Sequence, residues 1–328
     1  MRAAVLTAPQ KIELTTLDTP EPGPGEVLVR MRALGLCGSD MGVYTGERPV
    51  PSFPWVMGHE GGGEVVSVGA GVDQARIGQT VVIEPNYPCL GCAACAAGIT
   101  SVCQNRVIVG INAPGLLSEY VAVPTQFAHR LPEGMPQEAL AVLEPLAVAR
   151  AAVAMADVSA GEHVLVAGAG SQGLMVVQLL RSQGSVPWVM ELDPGRLQHA
   201  AELGAGSAAD AAAPAKFAHV IDAVGSPGLW KALLPKLSAP TTITVIGMSD
   251  EPLPVTTKQI TRGRMTIQGT IIYDHPKDFE GTIAQASTGE LDHAAVLTPA
   301  VPFSRVDEAF AGATSAPGKT WIVFDGKA

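Results

Sequence analysis

The chain has 328 residues, more than one hydrophobic core usually supports, so its length predicts two domains with a small-molecule site in the cleft between them. Hydrophobic residues make up 47% and charged residues 16%, a balance that argues against long disordered segments. The formal net charge of -10 argues against nucleic acid or an anionic membrane surface as a partner.

Short β-type runs separated by glycine and proline dominate the chain from residue 1 to about residue 112. Two examples are Glu26–Met31 and Gly78–Ile83. This punctuation is typical of a barrel or a sandwich. We therefore expect an irregular β domain in the first part of the chain.

After Glu144, apolar β-type runs alternate with stretches rich in alanine and leucine, which indicates βαβ units on a parallel sheet. The predicted strands are His163–Ala167, Pro187–Leu192, His219–Ala223, Thr241–Gly247 and Met265–Thr270. The stretch from Ser207 to Lys216 is expected to be a connector at the rim of the sheet. The stretches Val296–Phe303 and Thr320–Asp325 favour strands that return to the first domain.

The N-terminal residues Met1–Leu6 are not followed by an apolar secretory segment. The most apolar long window, Val142–Val158, includes the charges of Glu144, Arg150 and Asp157, which disfavour a membrane span. The number of cysteines, five, is odd, which fits a reducing compartment. These features predict a cytoplasmic protein without a membrane span.

Four of the five cysteines lie within fifteen residues and predict a metal site. They are Cys89, Cys92, Cys95 and Cys103. Their short spacers let four thiolates converge on one tetrahedral Zn²⁺, and four thiolates leave no open position, so the site is expected to be structural. An iron-sulfur cluster is the rival interpretation, because clusters also take four thiolates at short spacing.

Cys37 and the pair His59-Glu60 form a second candidate metal site. They supply one thiolate, one imidazole and one carboxylate, and three protein ligands leave a fourth position open. That coordination is typical of catalytic zinc. Taken alone, one cysteine and one histidine 22 residues apart are also explained as ordinary core residues.

A glycine-rich motif follows the first predicted strand of the parallel sheet and opens a helix. Its residues Gly168, Gly170, Ser171, Gln172 and Gly173 are the expected contacts of a dinucleotide pyrophosphate. Glu191 follows Gly173 by 18 residues, at the end of the next predicted strand, where its carboxylate can accept hydrogen bonds from ribose hydroxyls. Its charge would repel a ribose phosphate, which favours NAD over NADP, although Arg196 lies close by in sequence.

These motifs, in this order, resemble those of the zinc-containing medium-chain dehydrogenase/reductase family, and the resemblance covers essentially the whole chain. The matching segments are Leu36–Asp40, Gly58–Glu60, the four-cysteine lobe, Glu144–Leu146 and Gly168–Gly173. Other branches place a cysteine at the position of Glu144, so the chain is most similar to the sorbitol, threonine and butanediol dehydrogenase branch.

The resemblance implies an α/β fold with a Rossmann doubly wound parallel sheet and a GroES-like β-barrel catalytic domain. The implied boundaries are 1–146 and 290–328 for the catalytic domain, with a structural zinc lobe at 86–106, and 147–289 for the NAD-binding domain. It also implies that the chain forms a homodimer or a homotetramer.

The resemblance further implies a catalytic zinc held by Cys37, His59 and Glu60, while Glu144 either binds this zinc or hydrogen-bonds its water. One thiolate and one carboxylate already neutralise Zn²⁺. A second carboxylate bound directly would weaken the ion as a Lewis acid, so we expect Glu144 to be an intermittent or water-mediated ligand. Two zinc ions per chain are therefore expected.

The implied reaction moves a hydride between a secondary alcohol or polyol and NAD, with zinc as the Lewis acid. Ser39 is implied to take the alcohol proton, and Asp40 to orient the zinc-binding imidazole. In many relatives a histidine five residues after the zinc cysteine passes this proton to solvent, but Gly42 occupies that position here. Lys319 is implied to lie near the pyrophosphate, and its other interpretation is a solvated lysine at a strand end.

Three questions stay open at the level of the sequence. The identity of the alcohol or ketone is one, because Tyr44, Phe53, Trp55 and Ile272 are candidates for the pocket wall but are equally explained as core residues. A zinc-free, NADPH-dependent quinone or enone reductase is an alternative enzyme. A sensor that binds zinc and NAD without turnover is an alternative of another class, motivated by Gly42.

Overall fold

The computed structural model describes residues 1–324, which divide into two compact units. The first unit holds residues 1–144, 274–287 and the part of the chain from residue 297, and the second holds 145–273 and 288–296. The boundaries predicted from the sequence place 274–287 in the second domain. This segment groups with the first unit because Asp274 and His275 form hydrogen bonds with Ser101 and Glu84 of that unit.

The first part of the chain is rich in β-strands, and in the second part strands alternate with helices. The strands are β1 (Arg2–Ala8), β2 (Lys11–Thr16), β3 (Glu26–Gly35), β4 (Trp55–Val56), β5 (Glu60–Val68), β6 (Thr80–Ile83), β7 (Asn86–Tyr87), β8 (Val107–Ile108), β9 (Tyr120–Pro124), β10 (Ala128–Arg130), β11 (His163–Ala167), β12 (Val186–Met190), β13 (Gly206–Ser207), β14 (Phe217–Asp222), β15 (Leu237–Val245), β16 (Met265–Gly269), β17 (Val301–Pro302) and β18 (Trp321–Val323). The helices are α1 (Gly38–Thr45), α2 (Ala93–Ala96), α3 (Leu143–Ala156), α4 (Ser171–Ser182), α5 (Pro194–Glu202), α6 (Pro227–Leu233), α7 (Thr257–Gly263), α8 (Lys277–Ala286) and α9 (Val306–Gly312).

The second unit contains a six-stranded parallel sheet with the order β13-β12-β11-β14-β15-β16. Counted from β11, this is the strand order 3-2-1-4-5-6 of a doubly wound dinucleotide-binding sheet. The order reverses between β11 and β14, so the loop after β11 lies at the switch point where such sheets bind ligands. The predicted parallel sheet is confirmed.

Most predicted strands of this sheet are confirmed, and two differences have local causes. β15 begins at Leu237, four residues before the predicted start at Thr241. Ser207 belongs to the short strand β13 and not to a connector, as its backbone pairs with β12. The neighbouring Gly206 allows this pairing, because a Cβ there would lie 2.4 Å from the ring of Trp188.

The first unit is built on a mainly antiparallel sheet in which β3 is the central strand. The order is β10-β6-β5-β3-β18-β17, and β9 also pairs with β3. The register places Gly35, the last residue of β3, opposite Glu60 on one side and Trp321 on the other. The residues that follow β3 therefore lie beside the start of β5 and the residues that precede β18.

The predicted strand Val296–Phe303 is wrong for most of its length, since only β17 is a strand there. Pro299 lacks the N–H group that a ladder needs, and 3₁₀ turns occupy Ala294–Val296 and Phe303–Arg305, which leaves Val301–Pro302 as the strand. β18 confirms the predicted strand near the C-terminus, and Asp325, its predicted last residue, lies outside the described residues.

Each unit has its own hydrophobic core. The core of the first unit includes Leu34, Leu117 and Phe303, all fully buried, and that of the second unit lies on the parallel sheet around Val220 and Trp230. Within residues 1–324, none of the helices has the length and apolarity needed to cross a bilayer.

Candidate functional site

Cys37, His59 and Glu60 converge in the first unit, at the end of β3 and the start of β5. One ligand atom from each lies within 4.8 Å of the others, and both His59 and Glu60 are buried. Gly58 before them has a φ of 90°, and a Cβ there would lie 2.7 Å from Leu34. Glycine is therefore needed for the chain to turn into β5 with both side chains directed into the cluster.

Asp40, in the first turn of α1, joins the two ligand-bearing segments. Its Oδ1 atom is 3.1 Å from His59 Nδ1 and accepts a hydrogen bond from the Gly58 amide, while Oδ2 accepts one from the Cys37 amide at 3.0 Å. An Nδ1–H donor to Asp40 leaves His59 Nε2 as the nitrogen for a metal ion. Ser39 Oγ lies 3.2 Å from this Nε2 atom.

The charges of Asp40 and His59 stabilise each other inside the protein. Burial by itself disfavours the charged form of both groups, but the charge of the partner and the hydrogen bond between them outweigh it. As a result, the pKa of Asp40 lies below its ordinary value and the pKa of His59 lies well above its own.

Lys319 is fully enclosed in the same cluster. Its Nζ atom forms an ion pair with Glu60 Oε2 and donates a hydrogen bond to the carbonyl oxygen of Leu36 at 3.0 Å. Burial disfavours the ammonium charge, but the charges of Glu60, Cys37 and Glu144 outweigh it and raise the pKa of Lys319. Lys319 is thus the counter-charge to an otherwise acidic cluster.

Sequence reasoning missed this ion pair, because it depends on the pairing of β18 with β3 across nearly the whole chain. Only 2% of the Lys319 surface is exposed, so the interpretation as a solvated lysine is wrong. Its position near a dinucleotide pyrophosphate stays a prediction.

Replacing Lys319 with methionine is expected to cost about 3–5 kcal/mol of unfolding free energy, because the Glu60 carboxylate would be left buried without its cation. Urea unfolding of Lys319→Met, with Lys319→Arg as the charge-preserving control, measures this cost. Equal stability of the methionine variant and the wild type would show that the ion pair does not stabilise the fold.

Glu144 lies close to the cluster but outside its group of converging ligand atoms. It is buried in the first turn of α3, and its Oε1 atom is 3.5 Å from Asn86 Nδ2. Among residues 1–324, the group of atoms within 4.8 Å of one another contains Cys37, His59 and Glu60. A role for Glu144 through an intervening water is compatible with this placement.

Cys89, Cys92, Cys95 and Cys103 converge in the lobe between β7 and β8. The Sγ atoms of Cys92 and Cys95 are 3.5 Å apart, those of Cys103 and Cys89 are 3.5 Å apart, and those of Cys92 and Cys103 are 3.9 Å apart. Sulfurs bound at about 2.3 Å around one tetrahedral zinc ion have this spacing. The arrangement fits a single ion better than a cluster whose cysteines bind different iron atoms.

The protonation of these thiols differs across the lobe. Hydrogen bonds from the Gly91 backbone and from Cys103 lower the pKa of Cys89 to about 6, whereas burial and the neighbouring thiols raise the pKa of Cys95 to about 12. The lowered pKa of Cys89 favours its thiolate form, which is the form that binds a cation.

The glycine-rich motif occupies the switch point of the second unit, between the end of β11 and the start of α4. Gly168 has a φ of 94°, and a Cβ on Gly173 would lie 2.0 Å from the Gly168 carbonyl oxygen, so both positions need glycine. Gly170 caps α4, whose first residue is Ser171. The turn leaves room for the close backbone approach that a pyrophosphate needs.

Glu191 faces this turn from the end of β12. Its Oε2 atom accepts a hydrogen bond from the Ala169 amide at 2.8 Å, and Oε1 accepts bonds from the amides of Leu192 and Asp193. The Gln172 side chain instead donates a hydrogen bond from Nε2 to the Pro145 carbonyl oxygen at 3.2 Å. The structure therefore brings Glu191, but not the Gln172 side chain, to the glycine-rich turn.

The candidate pocket residues have separate surroundings. Trp55 is buried and donates its indole N–H to the Gly110 carbonyl oxygen, and Tyr44 packs on Phe310 in the first core. Phe53 is 48% exposed. Trp55 and Tyr44 thus have core roles that account for them without a ligand.

Family models match both parts of the chain. Residues 23–133 match the alcohol dehydrogenase GroES-like domain, and residues 173–288 match the zinc-binding dehydrogenase domain. The starvation-sensing protein RspB of Escherichia coli (strain K12) is 30% identical over 94% of both chains. The L-galactonate-5-dehydrogenase of the same organism is 29% identical, also over 94% of both chains.

Solved structures give the same result for the whole chain. A structure of rspB from E. coli CFT073, complexed with NADH, has a TM-score of 0.92 at 28% identity and covers 99% of both chains. A zinc-binding dehydrogenase from Sinorhizobium meliloti 1021, bound to NADP, has a TM-score of 0.91 at 26% identity and covers 98% of both. The chain therefore belongs to the zinc-containing medium-chain dehydrogenase/reductase family and is an oxidoreductase with a Rossmann sheet and a GroES-like domain.

Proposed function

We propose that the chain transfers a hydride between a secondary alcohol or polyol and NAD. The convergence of Cys37, His59 and Glu60 within 4.8 Å carries the proposal, because it combines a thiolate, an imidazole and a carboxylate in a set that leaves a zinc coordination position open. The similarity to L-galactonate-5-dehydrogenase supports a polyol or sugar-acid hydroxyl as the reacting group.

The residues around this site have different roles in the proposed reaction. Zinc bound there supplies Lewis-acid polarisation of the substrate hydroxyl. Asp40 holds the His59 ring through Nδ1, which fixes the position of Nε2. Ser39, whose hydroxyl lies 3.2 Å from Nε2, receives the substrate proton and passes it toward solvent through a route that does not use residue 42. Lys319 limits the negative charge that Glu60 adds to the site.

The cysteine lobe holds a second zinc ion in this proposal. Cys89, Cys92, Cys95 and Cys103 offer four sulfurs and no open position, so this ion stabilises residues 86–106 and takes no part in the reaction. Two zinc ions per chain follow from these two sites. Homo-oligomer formation, the cytoplasmic location and the domain boundaries at residues 146 and 290 stay predictions.

The geometry at Glu191 supports NAD as the preferred cofactor. Its carboxylate faces the glycine-rich turn, and its negative charge would repel the ribose phosphate of an NADP bound at that turn. Arg196 lies in the first turn of α5, and its amide donates a hydrogen bond to Asp193 Oδ1 at 2.8 Å. Similar structures contain NADH in one case and NADP in another, so Glu191 is the feature on which the preference rests.

Replacing Glu191 with glutamine is expected to lower the preference for NAD over NADP about tenfold, since about 1.4 kcal/mol of repulsion against the phosphate is lost. The ratio of kcat/KM for the two cofactors measures this change. Glu202→Gln, an exposed substitution on α5 with the same change in charge, is the control. An unchanged ratio in the Glu191 variant would remove the argument for NAD.

A panel of secondary alcohols, diols and sugar alcohols, assayed with both cofactors on zinc-loaded protein, tests the proposed reaction. Reduction of NAD by at least one of these substrates is expected, and its loss on chelation should be reversed by zinc. Activity that survives complete removal of zinc would favour the zinc-free quinone or enone reductase.

The sensor is the second candidate. A relative named as a starvation-sensing protein and the glycine at position 42 favour it. Saturable NADH binding without reduction of NAD by any substrate in the panel would support the sensor and contradict the dehydrogenase.

A further inference from the structure

A third group of potential metal ligands lies in the first unit, separate from both zinc sites. His129 Nε2 is 2.7 Å from Glu84 Oε2, and His275 Nδ1 is 2.8 Å from the same oxygen. The three ligand atoms all lie within 4.8 Å of one another. Two imidazoles and a carboxylate are therefore already gathered around one point.

The Glu84 carboxylate has a buried charge that the surrounding protein compensates poorly. The side chain is fully buried, and within residues 1–324 its recorded ion-pair partners are the two imidazoles, with no lysine or arginine among them. Both imidazoles contact Oε2, whereas the buried Oε1 atom has no hydrogen-bond partner. One of the two carboxylate oxygens thus has no hydrogen bond, and a buried polar atom without a partner lowers the stability of the fold.

The two imidazole rings are held in place by aromatic neighbours. His275 packs on Phe127 with ring centroids 4.8 Å apart, and His129 packs on Phe279 at 4.9 Å. Only about a tenth of each histidine side chain is exposed. Apolar walls of this kind exclude water and favour a divalent cation bound to its protein ligands.

We propose that Glu84, His129 and His275 bind a zinc ion. The ligand set is two imidazole nitrogens and one carboxylate, which zinc accepts. Each histidine loses the proton on the nitrogen that faces Glu84 and keeps the proton on its other nitrogen. The ligand atoms move apart from 2.7–2.8 Å to the wider spacing of a coordination shell. Glu84 Oε1, which has no hydrogen-bond partner, is a second carboxylate oxygen that the ion could bind.

The ion would act as a clamp on the segment 274–287. Glu84 follows β6, His129 lies on β10, and His275 precedes α8, so the three ligands join three distant parts of the chain. The adjacent Asp274 accepts a hydrogen bond from the Ser101 amide, which ties the same segment to the cysteine lobe. Loss of the ion is therefore expected to loosen the attachment of residues 274–287.

The zinc content of fully loaded, desalted protein tests the proposal, and the decisive quantity is the difference between variants. His275→Gln and His129→Gln should each bind one zinc ion fewer than the wild type. His219→Gln is the matched control, because His219 also pairs with a glutamate, Glu162, but within residues 1–324 this pair belongs to no group of three converging ligands. Equal zinc content in the wild type and both cluster variants would overturn the proposal.

Cobalt(II) titration of the wild-type protein gives a readout that does not require the variants to fold. Thiolate-bound cobalt produces intense sulfur-to-metal charge-transfer bands, whereas cobalt bound by imidazole and carboxylate does not. One bound equivalent without these bands is expected. If all bound cobalt produced thiolate bands, the cluster would be a hydrogen-bonded group without a metal. If no cobalt bound at Cys37, His59 and Glu60, the thiolate bands would be weaker but the equivalent without these bands would remain. Failure of the proposed dehydrogenase function is therefore distinguished from failure of the site at Glu84, His129 and His275.

Discussion

Cys37→Ser is expected to lower kcat/KM for alcohol oxidation by about 10³-fold or more. Metal polarisation of the substrate oxygen is worth several kcal/mol, and each ~1.4 kcal/mol corresponds to a factor of ten in rate. Serine offers no thiolate at neutral pH, so His59 and Glu60 alone would hold the ion weakly. Steady-state kinetics with the best substrate of the panel, together with zinc content, measure the effect.

The fold of this variant is expected to stay intact. Cys37 is partly exposed and lies at the start of α1, where its backbone amide keeps the hydrogen bond to Asp40. Thermal unfolding within ~2 °C of the wild type would fit this expectation. A Cys37→Ser enzyme that retained wild-type kcat/KM would show that the reaction does not depend on a metal at this site.

Cys103→Ser is expected to have its main effect on stability. Cys103 is the buried member of the lobe, and its sulfur lies within 4 Å of the sulfurs of Cys89 and Cys92. A structural zinc ion contributes its binding energy to folding, so losing one of four thiolates should cost several kcal/mol. For a domain of this size that corresponds to a drop in Tm of about 10 °C.

Differential scanning calorimetry with and without a chelator checks this expectation, and Cys37→Ser is the control with the same chemical change. Chelation should destabilise the wild type much more than Cys103→Ser, because the variant has already lost the ion. An equal loss of stability in Cys37→Ser and Cys103→Ser would contradict the division into a catalytic and a structural site.

Features that depend on short spacings were predictable from the sequence. The four cysteines of the lobe lie within fifteen residues, and the strand, glycine-rich turn and helix around Gly168–Gly173 are adjacent in the chain. Short chain segments have few conformations that satisfy such a pattern; the four cysteines converge, and the parallel sheet with its switch point is confirmed. The resemblance to a known family further predicted that Cys37 lies close to His59 and Glu60.

Prediction from local sequence failed for a segment that contains prolines and for a very short strand. The apolar stretch from Val296 to Phe303 has the composition of a strand, but Pro299 removes a backbone donor and 3₁₀ turns occupy both ends, so the strand is confined to Val301–Pro302. The pairing of β13 was missed because a glycine and a serine carry no apolar signal. Composition thus overpredicted one strand and missed the other.

The amino-acid sequence by itself determined the thiolate lobe and the dinucleotide turn, since each depends on contacts among residues close in the chain, and its change of composition after Glu144 indicated the two-part α/β organisation. Only the tertiary structure decided that Lys319 pairs with Glu60 and that Glu84 meets His129 and His275. These contacts join residues that are separated by tens to hundreds of positions. They follow from the register of β18 against β3 and from the attachment of residues 274–287 to the first unit, and no local spacing encodes either.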